Sequence, residues 1–157
     1  MFRCEQPNTC IIANGFAGMG IAVQGASAAK LARPEQAVVA VAGEAGFLMN
    51  AQEPQTAVRL GLALVILVWN GGGYGLIELK QMGAFGRPAY VRFGHPDLIR
   101  FAESFRARGY RVKNASALLP LLKPVLSQQA VRVIDCPVGY SENFKVTAKL
   151  GEMVCTL

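Results

Sequence analysis

The sequence has few of the residues on which metal sites usually depend. Among its 157 residues, histidine occurs once, as His95, and acidic side chains number only 10 against 16 lysines and arginines. The cysteines are Cys4, Cys10, Cys136 and Cys155. Their spacing matches no zinc signature, so we expect free thiols in a reducing cytoplasm.

Long hydrophobic runs are also absent. The longest apolar run is about ten residues, whereas a membrane-spanning helix needs about 20. We find no positively charged, apolar leader that ends at a small-residue cleavage site, so we expect a cytoplasmic protein with no membrane partner. Hydrophobic residues make up 52% of the chain, which excludes a disordered protein. The length suits one domain, 1–157, with residues 137–157 as a C-terminal tail.

The net charge of +6 is distributed unevenly. Seven of the sixteen basic residues fall between Arg87 and Lys113, where the acidic residues are Asp97 and Glu103. A nucleic-acid surface is one interpretation. Because the arginines are scattered singly, without a series of stacking aromatic residues, we expect no nucleic-acid partner. A solvated face that attracts anionic ligands accounts for the same pattern.

Residues 38–74 predict a β-turn-α-β unit. Two apolar runs, 38–42 and 62–69, are each followed at once by a glycine-rich turn, and an amphipathic segment lies between them. Both turns therefore fall at the carboxyl ends of parallel strands, where ligands bind in open α/β sheets. An N-cap pair, Asn50 with Glu53, is expected to begin the intervening helix, in which Pro54 is mildly unfavourable.

Helices and strands alternate along the rest of the chain, so we predict an α/β fold. The apolar strands require cover on both faces, which indicates a three-layer α/β/α sandwich with a mostly parallel central sheet. The remaining strands are predicted at 10–13, 110–112 and 131–135. Further helices are predicted at 21–32, from 76, at 96–108 and at 116–126, with a long loop over 82–94. Pro124 is awkward in the last helix.

The two turns could form a metal-bridged diphosphate site. Glycine-rich turns expose backbone N–H groups to phosphate, and a carboxylate can hold a divalent cation. Glu44 is the only carboxylate in either turn, and Asn70 and the Gly73 carbonyl could add oxygen ligands. Alternatively, the glycines only make tight turns and Glu44 is a solvated loop residue.

The turns read Gly43-Glu44-Ala45 and Asn70-Gly71. Around them stand the stretches GFLMNAQE, TAVRLGL, VWNGGGYGLIELKQ, FGHPDLIRFAESFRARGYRV and VIDCPVGYSENFKVT. Together they resemble the C-terminal, diphosphate-binding domain of thiamine-diphosphate-dependent enzymes, and within them acetolactate synthase. The family motif is Gly-Asp-Gly followed, a few tens of residues later, by Asn-Asn or Asn-Asp. The resemblance covers almost the whole chain.

This resemblance implies thiamine diphosphate and Mg²⁺ as cofactors. It implies that Glu44, Gly71 and the Gly73 carbonyl stand at the metal-ligand positions. The backbone at Ala45 and Gly46 corresponds to diphosphate-binding N–H groups, and Met19 to an apolar wedge under the cofactor. The full set of implied cofactor-binding positions is Ala17 and Gly18 (aminopyrimidine), Met19, Gly43, Glu44, Ala45, Gly46, Asn70, Gly71, Gly73, Tyr74, and Leu76 and Ile77 (thiazolium and substrate). For Met19 and Leu76, ordinary core packing is the alternative.

Three departures from the family motif fall on the site itself. Glu44 replaces Asp and is longer by one methylene, which shifts the ion or the loop by about an ångström in a site that demands octahedral geometry. Gly71 supplies no side-chain ligand, and Ala45 replaces a glycine next to the phosphate. We therefore hypothesise that the cofactor site is weakened or lost.

The resemblance also implies what a complete enzyme would need. In this family a glutamate on a pyrimidine-binding domain activates the cofactor, and neither that domain nor the family's middle domain is in this sequence. We expect no carboligation by the chain alone. The expected partner is a pyrimidine-binding domain from another subunit or from a missing N-terminal part, in a homo- or hetero-oligomer. The alternatives are a module of another 2-oxo acid decarboxylase or carboligase, or a degenerate, non-catalytic assembly module.

Overall fold

The structure is a computed structural model and describes residues 4–94, 96–143, 145–146 and 149. Within these residues four strands and six helices alternate along the chain. The strands are β1 (Val39–Gly43), β2 (Leu64–Asn70), β3 (Arg108–Arg111) and β4 (Val131–Pro137). The helices are α1 (Ala22–Ala32), α2 (Glu44–Met49), α3 (Glu53–Arg59), α4 (Gly75–Phe85), α5 (Leu98–Ser104) and α6 (Ala115–Leu126).

The strands form one parallel sheet in the order β1-β2-β4-β3, which confirms the α/β class. Each face of the sheet has its own apolar core. One core contains residues of α1, α2, α3 and α5, and the other contains residues of α6. The helices therefore cover both faces, as the predicted three-layer sandwich requires.

Strand β2 shows how a continuous apolar run serves both cores. Leu64, Ile66 and Val68 face the first core, whereas Val65 and Leu67 face the second. Each of these five side chains is at most 6% exposed. This burial follows from the period of two residues along a strand that is covered on both faces.

Three local predictions were wrong. Residues 10–13 form no strand. Glu44 does not lie in a turn, because α2 begins at that residue directly after β1. Asn50 does not cap the next helix, whose N-cap residue is Gln52; instead its side-chain amide donates to the Gly20 carbonyl at 3.2 Å. For Asn50, this tertiary contact outweighs the local capping signal.

The prolines fit their helices better than expected. Pro54 stands in the first turn of α3, where a missing N–H costs nothing because that donor has no partner inside the helix. Helix α6 continues through both Pro120 and Pro124. These two prolines are four residues apart, lie on one side of the helix and are exposed, so water can reach the carbonyls left unpaired.

Several predicted boundaries move. The helix expected over 96–108 is shorter, at Leu98–Ser104, and the strand expected over 110–112 already begins at Arg108. The loop expected over 82–94 begins later, because α4 extends to Phe85 and ends at Gly86 in the left-handed conformation. The C-terminal tail begins after Pro137, which belongs to β4, and most of residues 144–157 lie outside the described part. Among the described helices, none is both long and apolar enough to span a bilayer.

Gly109 on β3 is expected to tolerate no side chain. A Cβ there would lie 2.5 Å from the Ile99 Cα of α5. We expect Gly109→Ala to destabilise the fold by about 1–3 kcal/mol through overpacking. The control is Gly83→Ala in α4, where a Cβ meets nothing within 4 Å, and a gain of about 0.5–1 kcal/mol is expected. Urea unfolding measures both, and equal effects would contradict the assigned packing of α5 on β3.

Candidate functional site

The candidate site lies at the carboxyl edge of the sheet. The last residues of β1, β2 and β4 stand side by side there, with Gly43 paired to Trp69 and Asn70 paired to Pro137. Glu44 begins α2 immediately after β1. Because the strands are parallel, the two sequence-predicted turns meet at one edge.

The Glu44 side chain bridges the two turns, which are the first glycine-rich segment, residues 43–46 at the start of α2, and the second, residues 70–74 after β2. The residue is 1% exposed, and its Oε1 accepts hydrogen bonds from the N–H of Gly71 at 3.0 Å and of Gly73 at 2.7 Å. A carboxylate that accepts backbone N–H groups makes stronger hydrogen bonds than a neutral acceptor. The carboxylate therefore joins the beginning of α2 to the segment after β2, and Glu44 is not a solvated loop residue.

The second turn is held by backbone contacts. Gly72 has a φ of +83°, which favours glycine. The Gly73 carbonyl, expected as a metal ligand, accepts the N–H of Gly75 at 3.0 Å. Next to it, the Tyr74 N–H donates to the Val91 carbonyl at 2.8 Å. The loop before α5 thus supports the turn from outside.

Tyr140 lies against the same turn. It follows the end of β4 by three residues and is half-buried. A Cβ added at Gly71 would overlap the Tyr140 hydroxyl, and one at Gly75 would lie 2.5 Å from the ring's Cζ. Burial, followed by the negative charges of Glu44 and Glu78, raises the pKa of the Tyr140 hydroxyl. The ring occupies the space that a side chain at position 71 would need.

Asn70 belongs to a buried polar network. Its side-chain amide donates to Asp135 Oδ1 at 3.0 Å, and Arg111 forms an ion pair of 2.7 Å with Asp135 Oδ2. Both Asn70 and Asp135 are buried, whereas the Arg111 side chain is about half exposed. This network fixes β2, β4 and β3 relative to one another and directs the Asn70 amide towards Asp135.

A cleft of about 400 Å³ lies beside α2. Its lining includes three of the implied cofactor positions, Ala17, Gly18 and Met19, together with Asn50 at the end of α2. Met19 is 54% exposed, so it does not pack in the core. A Cβ at Gly46 would lie 3.9 Å from the Met19 Cε, which places the beginning of α2 next to this loop.

Leu76 and Ile77 begin α4 and are 62% and 47% exposed. Core packing is therefore excluded for Leu76 as well. On the same helix, Glu78 pairs with Arg92 through side-chain hydrogen bonds that hold the pKa of Glu78 below its usual value. This pair ties α4 to the segment that supports the second turn.

A divalent ion does not fit this arrangement. Mg²⁺ requires near-octahedral oxygen ligands. Within the described residues no cluster of three or more His, Cys, Asp or Glu side chains could hold a metal. One oxygen of Glu44 already accepts two N–H groups, and the Gly73 carbonyl also accepts one. Gly71 has no side-chain oxygen, and Tyr140 fills the space beside it.

Sequence reasoning missed Tyr140, Asp135 and Arg111 as parts of this edge. The sequence places Tyr140 in the predicted tail. Its position three residues after the last strand was the available signal, because that strand's carboxyl end belongs to the same edge. The order of the sheet, in which β4 lies beside β2, supplied the missing information.

A parallel sheet with helices on both faces, two glycine-rich segments at one edge and a cleft beside them defines a cofactor-binding α/β domain. The family model described as "Thiamine pyrophosphate enzyme, C-terminal TPP binding domain" matches residues 1–136. The chain belongs to this family, as its C-terminal thiamine-diphosphate-binding domain.

Curated relatives agree with this assignment. An acetolactate synthase of Bacillus subtilis is 37% identical over 99% of this chain, which covers 28% of the relative. A catabolic acetolactate synthase of Raoultella terrigena is 35% identical over 90% of the chain and 25% of the relative. A 3D-(3,5/4)-trihydroxycyclohexane-1,2-dione hydrolase of Halalkalibacterium halodurans is 31% identical over 88% of the chain and 23% of the relative. The chain thus spans about a quarter of the length of these relatives.

The fold also matches a solved structure. A thiamine diphosphate-dependent 4-hydroxybenzoylformate decarboxylase of Rhodococcus jostii aligns with a TM-score of 0.75 at 23% identity. The alignment covers 81% of this chain and 24% of that one. This likeness confirms the fold.

Cys136 is expected to resist alkylation. It is buried on β4, where burial and then the nearby Asp135 charge raise the pKa of its thiol to about 11. Only a small fraction is therefore thiolate at pH 8, and the thiolate is the reactive form. We expect iodoacetamide at pH 8 to modify the exposed Cys10 before Cys136, as measured by peptide mass spectrometry. Equal rates for Cys10 and Cys136 in the folded protein would contradict the placement of β4.

Proposed function

We propose that this chain is the diphosphate-side domain of an acetolactate-synthase-like enzyme. The observation that carries the proposal is the 37% identity to an acetolactate synthase over 99% of the chain. The complete enzyme would decarboxylate pyruvate and join the product to a second 2-oxo acid. When bound, thiamine diphosphate supplies the carbon nucleophile for such chemistry.

In this proposal the chain contributes binding surface and no acid–base group. The loop of residues 17–20 lines the cleft that would take the organic part of the cofactor. Asn50 holds this loop against α2, because its side-chain amide donates to the Gly20 carbonyl. Leu76 and Ile77, which are exposed, would lie on the substrate side. The activating glutamate comes from another domain, so the isolated chain has no turnover. No step is assigned to Mg²⁺, since the residues present do not fit it.

We propose that the partner is a pyrimidine-binding domain, supplied by another subunit or by the remainder of a longer chain. Large apolar side chains near the cleft and on α4 support an interface there: Phe16 is fully exposed, Phe85 is 75% exposed and Leu76 is 62% exposed. Large apolar side chains with this degree of exposure are found at interaction surfaces. The partner would cover them and complete the cofactor site in an oligomer.

Other enzymes of the family remain the alternative among catalysts. The hydrolase relative is 31% identical, against 37% and 35% for the two acetolactate synthases. The two higher identities support the acetolactate-synthase-like proposal over another 2-oxo acid decarboxylase or carboligase.

A second function, that of a non-catalytic assembly module, is favoured by a specific observation. The Glu44 carboxylate is occupied by two backbone N–H groups, and Tyr140 fills the neighbouring space. Such a chain would keep the interface of the family and bind no cofactor.

Amide chemical-shift mapping tests the proposed function. We would titrate thiamine diphosphate into the ¹⁵N-labelled full chain up to about 10 mM, which detects binding free energies as small as about 3 kcal/mol. Binding at the proposed site would shift the amides of residues 17–20 and 43–46. Thiamine without phosphates is the ligand control, and Met19→Ala is the variant control, with weaker binding expected. Shifts absent from both segments, in a folded sample, would overturn cofactor binding and leave the assembly module.

A further inference from the structure

We propose that Glu44 replaces the divalent ion at this edge of the sheet. The longer carboxylate reaches across to the second turn and joins the two segments that a metal would otherwise bridge. Its Oε1 accepts the N–H groups of Gly71 and Gly73. The inference goes beyond the proposed function and rests on it only for the expectation of an ion.

Geometry explains why a glutamate suits this position. Gly43 ends β1 and is also the N-cap residue of α2, so position 44 begins its helix at a fixed place on the edge. The Glu44 side chain is fully buried and directed at the turn after β2. The carboxylate supplies negative charge to two N–H groups, and no cation is needed to hold the turn in place.

Tyr140 fills the space that a metal-binding side chain at position 71 would need. Its ring lies against Gly71 and Gly75, and a Cβ at either position would overlap it. A metal-binding asparagine at position 71 is therefore incompatible with Tyr140 in its present place. Glu44, Gly71 and Tyr140 form one set, and we expect that restoring an ion site requires changing Glu44 and Gly71 and displacing the Tyr140 ring.

Mn²⁺ binding tests this inference, with the free ion measured by electron paramagnetic resonance. Wild type and the Glu44→Asp, Gly71→Asn double variant are expected to bind no ion below about 1 mM. The triple variant that adds Tyr140→Ala is expected to bind at least about tenfold more tightly than the double variant. Tyr140→Ala alone is the matched control and should bind as weakly as wild type.

Each outcome bears on the inference. Submillimolar binding by wild type would overturn the replacement of the ion by Glu44. The role of Tyr140 would be overturned if the double variant bound the ion as tightly as the triple variant does. It would also be overturned if the triple variant folded but bound no ion.

Thermal unfolding of wild type is a second readout that needs no variant. The midpoint is expected to be the same in EDTA and in about 5 mM Mg²⁺, since a ligand that does not bind gives no stabilisation, and a rise with Mg²⁺ would contradict the inference.

These outcomes are independent of the proposed function. If thiamine diphosphate shifts no amide but wild type also binds no Mn²⁺, the proposed function fails and the inference stands. If thiamine diphosphate binds at residues 17–20 and Mg²⁺ strengthens that binding tenfold or more, the proposed function stands and the inference fails.

Discussion

Glu44→Ala is expected to lower the free energy of unfolding by about 3 kcal/mol. The substitution removes the acceptor of two backbone N–H groups, of which Gly73 is buried. An unsatisfied buried donor costs about 1–3 kcal/mol, and water at the edge of the sheet repairs part of the loss at Gly71. For a domain of this size the midpoint of thermal unfolding should fall by about 6–12 °C.

Two further variants test whether the loss of stability in Glu44→Ala comes from the contacts of the carboxylate. Glu44→Gln keeps an acceptor oxygen and loses the charge, so we expect a smaller loss of about 1 kcal/mol. Glu103→Ala changes an exposed glutamate of α5 and should stay within about 0.5 kcal/mol of wild type. Chemical unfolding measures all three. If Glu44→Ala is as stable as Glu103→Ala, Glu44 does not join the two turns.

Arg111→Ala is the second substitution with a large expected effect. It leaves the Asp135 carboxylate, whose side chain is 1% exposed, without its cationic partner. Removing one member of a buried pair costs about 3–5 kcal/mol, but the Arg111 side chain is 48% exposed. Because solvent screens such a pair, we expect a loss of about 2–3 kcal/mol. Arg108→Ala, at the other end of β3 and exposed, is the matched control.

A double-mutant cycle separates the interaction energy of the Arg111–Asp135 pair from the cost of leaving the Asp135 charge buried without its partner. Replacing Asp135 by Asn as well removes the unpaired buried charge, so Arg111→Ala with Asp135→Asn should be more stable than Arg111→Ala alone. Urea unfolding of the two single variants and the double variant gives the coupling. Strictly additive losses would show that the ion pair does not connect β3 to β4.

The fold could be predicted in large part because its strands carry strong local signals. The runs at 62–69 and 131–135 correspond to β2 and β4 within two residues at each end. The meeting of the two turns also followed from sequence, since parallel strands place their carboxyl ends together. Gly61, two residues after the end of α3, has a φ of +65°, a conformation that glycine adopts at little cost.

The details of the site could not be predicted, because they depend on contacts between distant residues. The sequence contained Glu44 and Gly71 but not the distance between them, so Glu44 was interpreted as a weakened ligand. The structure shows it bonded to the opposite turn. The sequence predicts that Asn50 caps a helix, but its side chain instead donates to the Gly20 carbonyl and holds the loop of residues 17–20. Tyr140 reaches the site only because β4 lies beside β2.

Hydrogen exchange at the amides of Gly71 and Gly73 tests the central claim most directly. If Glu44 holds the two turns together, both amides are protected in EDTA-treated wild type, and Mg²⁺ leaves their exchange rates unchanged. Protection should fall at these two amides in Glu44→Ala while the core strand β2 stays protected. Amides that exchange freely in EDTA and become protected when Mg²⁺ is added would show that a metal ion, and not Glu44, joins the two turns.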